Sequence, residues 1–398
     1  MRKSELTREK QRLLWEEIDM KERVKNVKIQ WIEFENLQTG LKIERIHFNE
    51  DVTLLVGLSG AGKTQILNAV EYSLNLAFDK DVALRPYRVG MGILIDREEY
   101  EWFYEINRTN ENELIINEES KYEFTNEELK CNKQNIFKRT STEIYVKGYD
   151  KIPQPKKDES LILQYSEDKK FEKLISGIRK LYSVEIELAV RGGIRSESFS
   201  RLKSKVIDTL NNNKTKTQFK VFSHLPVAMK LYIVKNYYKD MYIRIFDAVK
   251  ELFMEIEDIN VEEDSAREMY LVSIQVYGKK LLQHDISNGM LKTIYYIVEL
   301  FTMSENSLVL IDEFENGLGV NCIDILSELI LSERNDLQFI ITSHHPKIIN
   351  AIDKSQWRII DRTGSVVQNS GSIDYGIGNS QHDAYFNLIN RWEFEGRI

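Results

Sequence analysis

Two spacings of apolar residues organise the chain. Lys28-Ile29-Gln30-Trp31-Ile32-Glu33-Phe34 and Leu41-Lys42-Ile43-Glu44-Arg45-Ile46-His47-Phe48 repeat with period two, as half-buried strands do. Thr53-Leu54-Leu55-Val56 follows as an unbroken apolar run, the pattern of a buried strand. Strand-like segments return at Gly92–Ile95, Tyr100–Ile106 and Glu143–Val146, with polar turns between, which predicts a lobe with a substantial antiparallel component. From about 159 to 268 the period becomes helical. Ile175, Ile178, Leu181 and Tyr182 recur at helical spacing, as do Leu231, Val234, Tyr238, Met241, Ile245, Val249, Leu252 and Phe253. Strands resume at Met269–Val276, Leu308–Ile311, Phe339–Thr342 and Trp357–Ile360, and an amphipathic helix near Ala384–Ile389 comes last. The expected organisation is a charged helix over 1–26, a first lobe over 27–158, a helical insertion over 159–268 and a second lobe over 269–398. In 1–26, Leu6, Leu13, Leu14, Ile18 and Val24 make only a thin apolar set, so this helix either docks on a surface or stands as a solvated end.

Composition narrows the class. A chain of 398 residues, 42% apolar and 30% charged, reads as a soluble globular protein of two or three lobes. No apolar stretch approaches the roughly 18 residues that span a bilayer, and Met1-Arg2-Lys3-Ser4-Glu5 opens no signal core. A cytoplasmic location with no membrane partner is therefore expected. Cys131 and Cys322 lie far apart without a CxxC pair, which makes neither a disulfide framework nor a zinc site. The net charge of −8 argues against a basic coat for nucleic acid. One segment departs from that balance: Arg191, Arg195, Arg201, Lys203, Lys205, Lys214, Lys216 and Lys220 face only Glu197 and Asp208 within 191–220. A solvated face and a nucleic-acid or acidic-partner contact both fit such a run.

The chemistry concentrates at four places. Between the buried run 53–56 and the helix start Gln65-Ile66-Leu67-Asn68-Ala69-Val70 lies Gly57-Leu58-Ser59-Gly60-Ala61-Gly62-Lys63-Thr64, a full match to G-x-x-x-x-G-K-[ST]. In such a strand–loop–helix the glycines let backbone N–H groups close around phosphates, and the helix N-terminus adds its positive dipole. Gly57, Ser59, Gly60, Ala61, Gly62, Lys63, Thr64 and Gln65 form the expected ATP-binding set. Lys63 would reach the β- and γ-phosphates and the Thr64 hydroxyl would hold Mg²⁺. Downstream, Leu308-Val309-Leu310-Ile311 ends in Asp312-Glu313, placing acids at the edge of a buried parallel strand, where ligands bind in open α/β sheets. Asp312 is expected in the Mg²⁺ shell and Glu313 is expected to polarise the attacking water. Strand 339–342 delivers Ser343-His344-His345-Pro346, and His344, directly after the Thr-Ser pair, is expected to hydrogen-bond the γ-phosphate. Asp285-Ile286-Ser287-Asn288-Gly289 opens another helix with a hydroxyl at its tip.

The order of these motifs resembles that of ABC-type ATPases and, within them, the RecF/SMC-like branch. The most specific likeness is to the AAA15/AAA21 group, which includes the ATPase parts of OLD-family nucleases and of bacterial antiphage systems. Its marks here are Asp312-Glu313-Phe314-Glu315-Asn316-Gly317-Leu318 and the degenerate signature Ile286-Ser287-Asn288-Gly289, within a resemblance that spans about residues 27–390. The resemblance implies an α/β fold: an ABC-type P-loop NTPase head with a mixed sheet, an antiparallel β portion and an inserted helical lobe. It also implies two heads sandwiching two nucleotides, each sealed by Ser287 and Gly289 of the opposite head, with Asp312 and Glu313 acting in cis and His344 reading the γ-phosphate. Segment 315–318 would cross that interface. A glutamine usually links the phosphate site to the helical lobe, and Gln164, after Leu161-Ile162-Leu163, is the candidate, placed with the metal ligands. Ser59 and Thr64 stand where this branch commonly carries Asn and Ser, and Gly319 where relatives often carry His.

The stretch between Lys63 and Asp312 is too short for the coiled-coil arms of SMC proteins, and the Leu-Ser-Gly-Gly-Gln string of transporter ATPases is absent. The segment after His344 has no Asp-x-Asp pair, and the 6 histidines (His47, His224, His284, His344, His345 and His382) build no nuclease site. The expectation is an ATP-hydrolysing homodimer, or a higher even-numbered oligomer. It would sense and regulate a separate effector protein, with nuclease chemistry expected of that partner, in bacterial antiviral defence. A RecF-like repair ATPase that binds DNA, and a non-hydrolysing scaffold, are the alternatives; intact Asp312 and Glu313 weigh against the scaffold.

Overall fold

The computed structural model describes residues 26–109, 122–152, 154–181, 193–212, 225–334, 336–375 and 381–394. Strands β1 (Val27–Asn36), β2 (Lys42–His47) and β3 (Val52–Val56) lead into a helix, Lys63–Phe78. A meander follows: β4 (Tyr87–Ile95), β5 (Glu98–Arg108), β6 (Tyr122–Cys131), β7 (Gln134–Arg139) and β8 (Ile144–Val146). Strands β9 (Ile194–Arg195), β10 (Ile256–Asp264), β11 (Met269–Val276) and β12 (Lys279–Leu282) make a small second sheet. Strands β13 (Leu308–Ile311), β14 (Gln338–Thr342), β15 (Trp357–Thr363) and β16 (Val366–Gly371) return to the first. Among the described residues that sheet has 12 strands in the order β13-β14-β3-β15-β16-β2-β1-β4-β5-β6-β7-β8. β13, β14, β3 and β15 are parallel neighbours, β16 joins β15 antiparallel and β2 parallel, and every pairing beyond β2 is antiparallel. The mixed sheet with a large antiparallel wing follows the sequence expectation.

The unbroken apolar runs have a structural cause. In β13, Val309 and Ile311 enter one core while Leu308 and Leu310 enter the other, and Leu54 and Val56 are likewise divided from Leu55. Successive side chains on a strand point to opposite faces, so a strand covered on both faces must be apolar at every position. One cover is the helix Lys63–Phe78 with helices Leu161–Gln164 and Glu172–Lys180; the other includes the helices Val227–Tyr237, Lys239–Leu252 and Asn288–Thr302.

These two cores divide the stretch 159–268 that the helical period marks as one insertion. Its first two helices belong with the phosphate-loop helix, and its later ones with the helix that begins at Asn288. Helical structure also ends at Leu252, because Ile259 and Val261 alternate with Asn260 and Glu262 and pair with Ile274 and Val272 of β11 as strand β10. The expected helix over 1–26 lies outside the described residues apart from Asn26, as do Tyr182, Arg191, Lys214, Lys216 and Lys220. Among the described residues no helix is long and apolar enough to cross a membrane.

Candidate functional site

The parallel strands β13, β14 and β3 end side by side, and their following loops supply the candidate site. After β3 the loop carries two glycines, Gly57 and Gly62, that no other residue could replace without movement. A Cβ on Gly57 would sit 2.4 Å from the Ile360 carbonyl oxygen of β15. At Gly62 the backbone has φ 109° and a Cβ would come within 2.7 Å of Val367 Cγ2. Gly62 is also the N-cap of the helix Lys63–Phe78 and offers no side-chain acceptor, so no side chain caps that helix N-terminus. An uncapped N-terminus of this kind favours an anion. Lys63 is buried, and its Nζ donates to the carbonyls of Gly57 at 2.8 Å and Leu58 at 3.0 Å. Burial holds its ammonium below the ordinary lysine range, against the pull of Asp312, Glu313 and Glu315. Ser59, Gly60, Thr64 and Gln65 face solvent around the loop, whereas Ala61 is buried.

The acids are pinned by hydroxyls. Thr64 Oγ1 donates to Asp312 Oδ2 at 2.8 Å, and Thr342 Oγ1 donates to Asp312 Oδ1 at 2.6 Å. The same Thr342 hydroxyl accepts the Glu313 backbone N–H at 2.7 Å, and the Thr342 carbonyl accepts that of Phe314 at 3.0 Å. Glu313 has φ 47°, in the left-handed region that costs an ordinary residue about 1–2 kcal/mol. That turn aims its carboxylate away from the strand, where Asn316 Nδ2 donates to it at 3.3 Å. Thr342 belongs to no motif of its own, and it joins the site because Ile311 pairs with Ile341 and so puts Thr342 level with Asp312.

At the end of β14, His344 is held through its backbone: its N–H donates to Glu315 Oε1 at 2.8 Å, while Ser343 Oγ donates to Glu315 Oε2 at 2.7 Å. Burial, then the Lys63 ammonium, lowers the His344 pKa against the opposing carboxylates. Its ring is therefore uncharged at neutral pH and retains one N–H to donate.

Not every expected residue joins this cluster. Ser287 caps the helix Asn288–Thr302 by accepting from Met290 N–H at 3.3 Å, and Gly289 packs on the loop after the acids, where a Cβ would lie 3.2 Å from the Gly317 carbonyl oxygen. The signature turn thus leans on segment 316–319 of its own chain, and Lys292 Nζ donates to the Asn316 carbonyl beside it. Gln164 is elsewhere. Its amide is bound to Lys156 N–H at 2.9 Å and to the carbonyls of Lys156 and Glu159 at 3.0 and 2.8 Å. The neighbouring Ser160 Oγ donates to the Leu76 carbonyl, which at 1.5 Å per residue lies about 20 Å along the helix from Lys63. Gln164 therefore does not join Thr64 and Asp312 as a metal ligand: its short helix is anchored at the far end of the phosphate-loop helix.

Thr64 and Asp312 present hydroxyl and carboxylate oxygens at one point, the hard donors that Mg²⁺ takes alongside phosphates and water. Taken together, the fold is that of an ABC-type P-loop ATPase head. The chain belongs to the AAA_21 family, described as "AAA domain, putative AbiEii toxin, Type IV TA system", whose family model matches residues 52–350. No curated protein matches it in sequence. Among solved structures it is similar to the SmcHead bound to the C-winged helix domain of ScpA, at 12% identity, covering 86% of this chain and 97% of that one with a TM-score of 0.50. A Pyrococcus furiosus Smc head domain with an extended coiled coil, bound to the C-terminal domain of ScpA, is 14% identical, with 92% and 99% covered and a TM-score of 0.46. At such identities the first likeness speaks for the fold.

Proposed function

We propose that the protein hydrolyses ATP at this site and that a second copy completes it. The observation that carries the reading is the convergence of Lys63, Thr64, Asp312, Glu313 and His344 at three adjacent strand ends, with the Thr64 hydroxyl 2.8 Å from Asp312. Lys63 leaves its two loop carbonyls for the phosphates, and the amides of 59–64 close around them. Thr64 and Asp312 would hold Mg²⁺, which when bound neutralises charge on the phosphate oxygens. Glu313 accepts a proton from the attacking water, and His344 donates a ring N–H to the γ-phosphate. Ser287 and Gly289 of the second copy face that phosphate.

The family's description, with its "Type IV TA system", supports a place in such a system. In this reading the protein is a nucleotide-switched regulator in bacterial antiviral defence, and its effector, a nuclease by preference, is a separate polypeptide. The test is to purify the chain with whatever accompanies it. ATP turnover should require Mg²⁺ and disappear in Lys63→Ala, and any nucleic-acid cleavage should follow the co-purifying protein. Cleavage by the chain alone would end the regulator reading. The DNA-repair reading has a narrower footing: of the basic run only Arg195, Arg201, Lys203 and Lys205 are described, and Lys203 Nζ sits 5.0 Å from the Tyr232 ring.

A further inference from the structure

Glu315 stands in no nucleotide-contacting role above, yet its carboxylate is fully engaged. One oxygen accepts from Ser343 Oγ at 2.7 Å and the other from the His344 backbone N–H at 2.8 Å. Ser343 is itself wholly buried, and its hydroxyl oxygen accepts the His345 N–H at 3.0 Å, so the clamp fixes three consecutive residues at the end of β14. The other end of Glu315 belongs to the loop 313–319. Its carbonyl accepts the Leu318 N–H at 3.1 Å, and the loop it closes carries Gly317 and Gly319, on which Gly289 packs, and the Asn316 carbonyl, to which Lys292 donates.

From this chain of contacts we infer that Glu315 is a positioning residue that ties His344 to the signature helix, so that His344 reaches the γ-phosphate only while Gly289 and Lys292 hold loop 315–319 in this place. The inference rests on the proposed role of His344. A carboxylate suits the task because it accepts two hydrogen bonds at once, and charge-assisted acceptors make the stronger and shorter bonds. The consequence is that a signature turn engaged by the opposite head acts on the histidine of its own head, which couples the two sites.

The experiment compares Glu315→Ala and Glu315→Gln with the wild type and with Lys63→Ala, measuring kcat, KM, nucleotide Kd and thermal midpoint in each. Displacing a positioned group by about 1 Å costs on the order of 100-fold in rate, so Glu315→Ala should lose most of its kcat on that scale while Kd stays within a few-fold of wild type. Glu315→Gln keeps an oxygen for the His344 N–H and an amide for Ser343, and should recover most of the lost kcat. A Glu315→Ala protein with wild-type kcat overturns the inference. So does a loss of kcat that Gln fails to recover and that tracks a lowered thermal midpoint, since that is the behaviour of a merely structural contact. A wild type that does not turn over ATP, or a Lys63→Ala protein that does, overturns the ATPase reading instead, so the two failures are distinct.

Discussion

Glu313→Gln is expected to lower steady-state ATP turnover by about 100- to 10,000-fold, the range a general base contributes, while leaving nucleotide affinity near wild type. Gln keeps the size and shape of Glu, and the groups proposed to hold ATP are elsewhere, on the loop at 57–64. The backbone of residue 313 is also held without its side chain. Its N–H is bound by Thr342 Oγ1 and its carbonyl accepts the Asn316 N–H at 2.7 Å, so the φ 47° turn survives the substitution. What is lost is the carboxylate proposed to take the proton of the attacking water. Single-turnover hydrolysis, together with titration of a fluorescent ATP analogue, separates the two effects. A variant that binds ATP but keeps turnover within a few-fold of wild type would remove Glu313 from the chemistry.

Lys230→Met is expected to destabilise the fold by about 3–5 kcal/mol, the cost of stranding one partner of a buried ion pair. Lys230, on helix Val227–Tyr237, donates to Glu299 Oε2 at 2.5 Å on the helix that carries the signature turn at its start. Their side chains are only 1% and 3% exposed, so water cannot replace the missing partner. Burial raises the Glu299 pKa, and the Lys230 ammonium opposes that rise, so the carboxyl of the variant lies higher still. A carboxyl whose folded pKa exceeds its unfolded value penalises the fold only where it must ionise. The penalty is absent below the unfolded value and grows as pH rises toward the folded one. Chemical denaturation should therefore show the deficit largest at neutral and alkaline pH and shrinking on acidification. Adding Glu299→Leu should recover most of it, because a well-packed apolar pair replaces a buried ion pair at little cost. A deficit that is flat with pH would mean that Glu299 is not the charge left behind.

The nucleotide side of the site was legible because its parts are local. A phosphate loop is eight consecutive residues between a strand and a helix, and Asp312-Glu313 and Ser343-His344 each end an apolar run whose both-face burial the sequence spells out. Thr342 and Glu315 were harder to see, since their partners lie some 30 residues away and only the alignment of neighbouring strand ends brings them together. Gln164 failed for a related reason: sequence position could not tell that Ser160 anchors its helix beside Leu76 rather than at the phosphate loop. In the fold, β6 and β7 hid behind charge. Their inward positions include Glu127 and Arg139, paired at 2.5 Å, with Trp102 Nε1 and the Leu161 N–H completing the Glu127 carboxylate, so a polar pattern covers a buried strand pair. β10 was visible in principle, but its alternation of Ile259 and Val261 with Asp258, Asn260 and Glu262 is short and follows closely on a strongly helical stretch.

The central claim, that one head's Lys63 works with the other head's Ser287, is tested most directly by mixing two inactive proteins. Lys63→Ala lacks the phosphate lysine and Ser287→Arg lacks the signature hydroxyl, and each alone should be without turnover. In a mixed pair one site joins an intact Lys63 to an intact Ser287. For a two-fold pairing that exchanges freely, an equal mixture should recover roughly a quarter of wild-type turnover. No recovery on mixing, or a Ser287→Arg protein as active as wild type, would contradict the account.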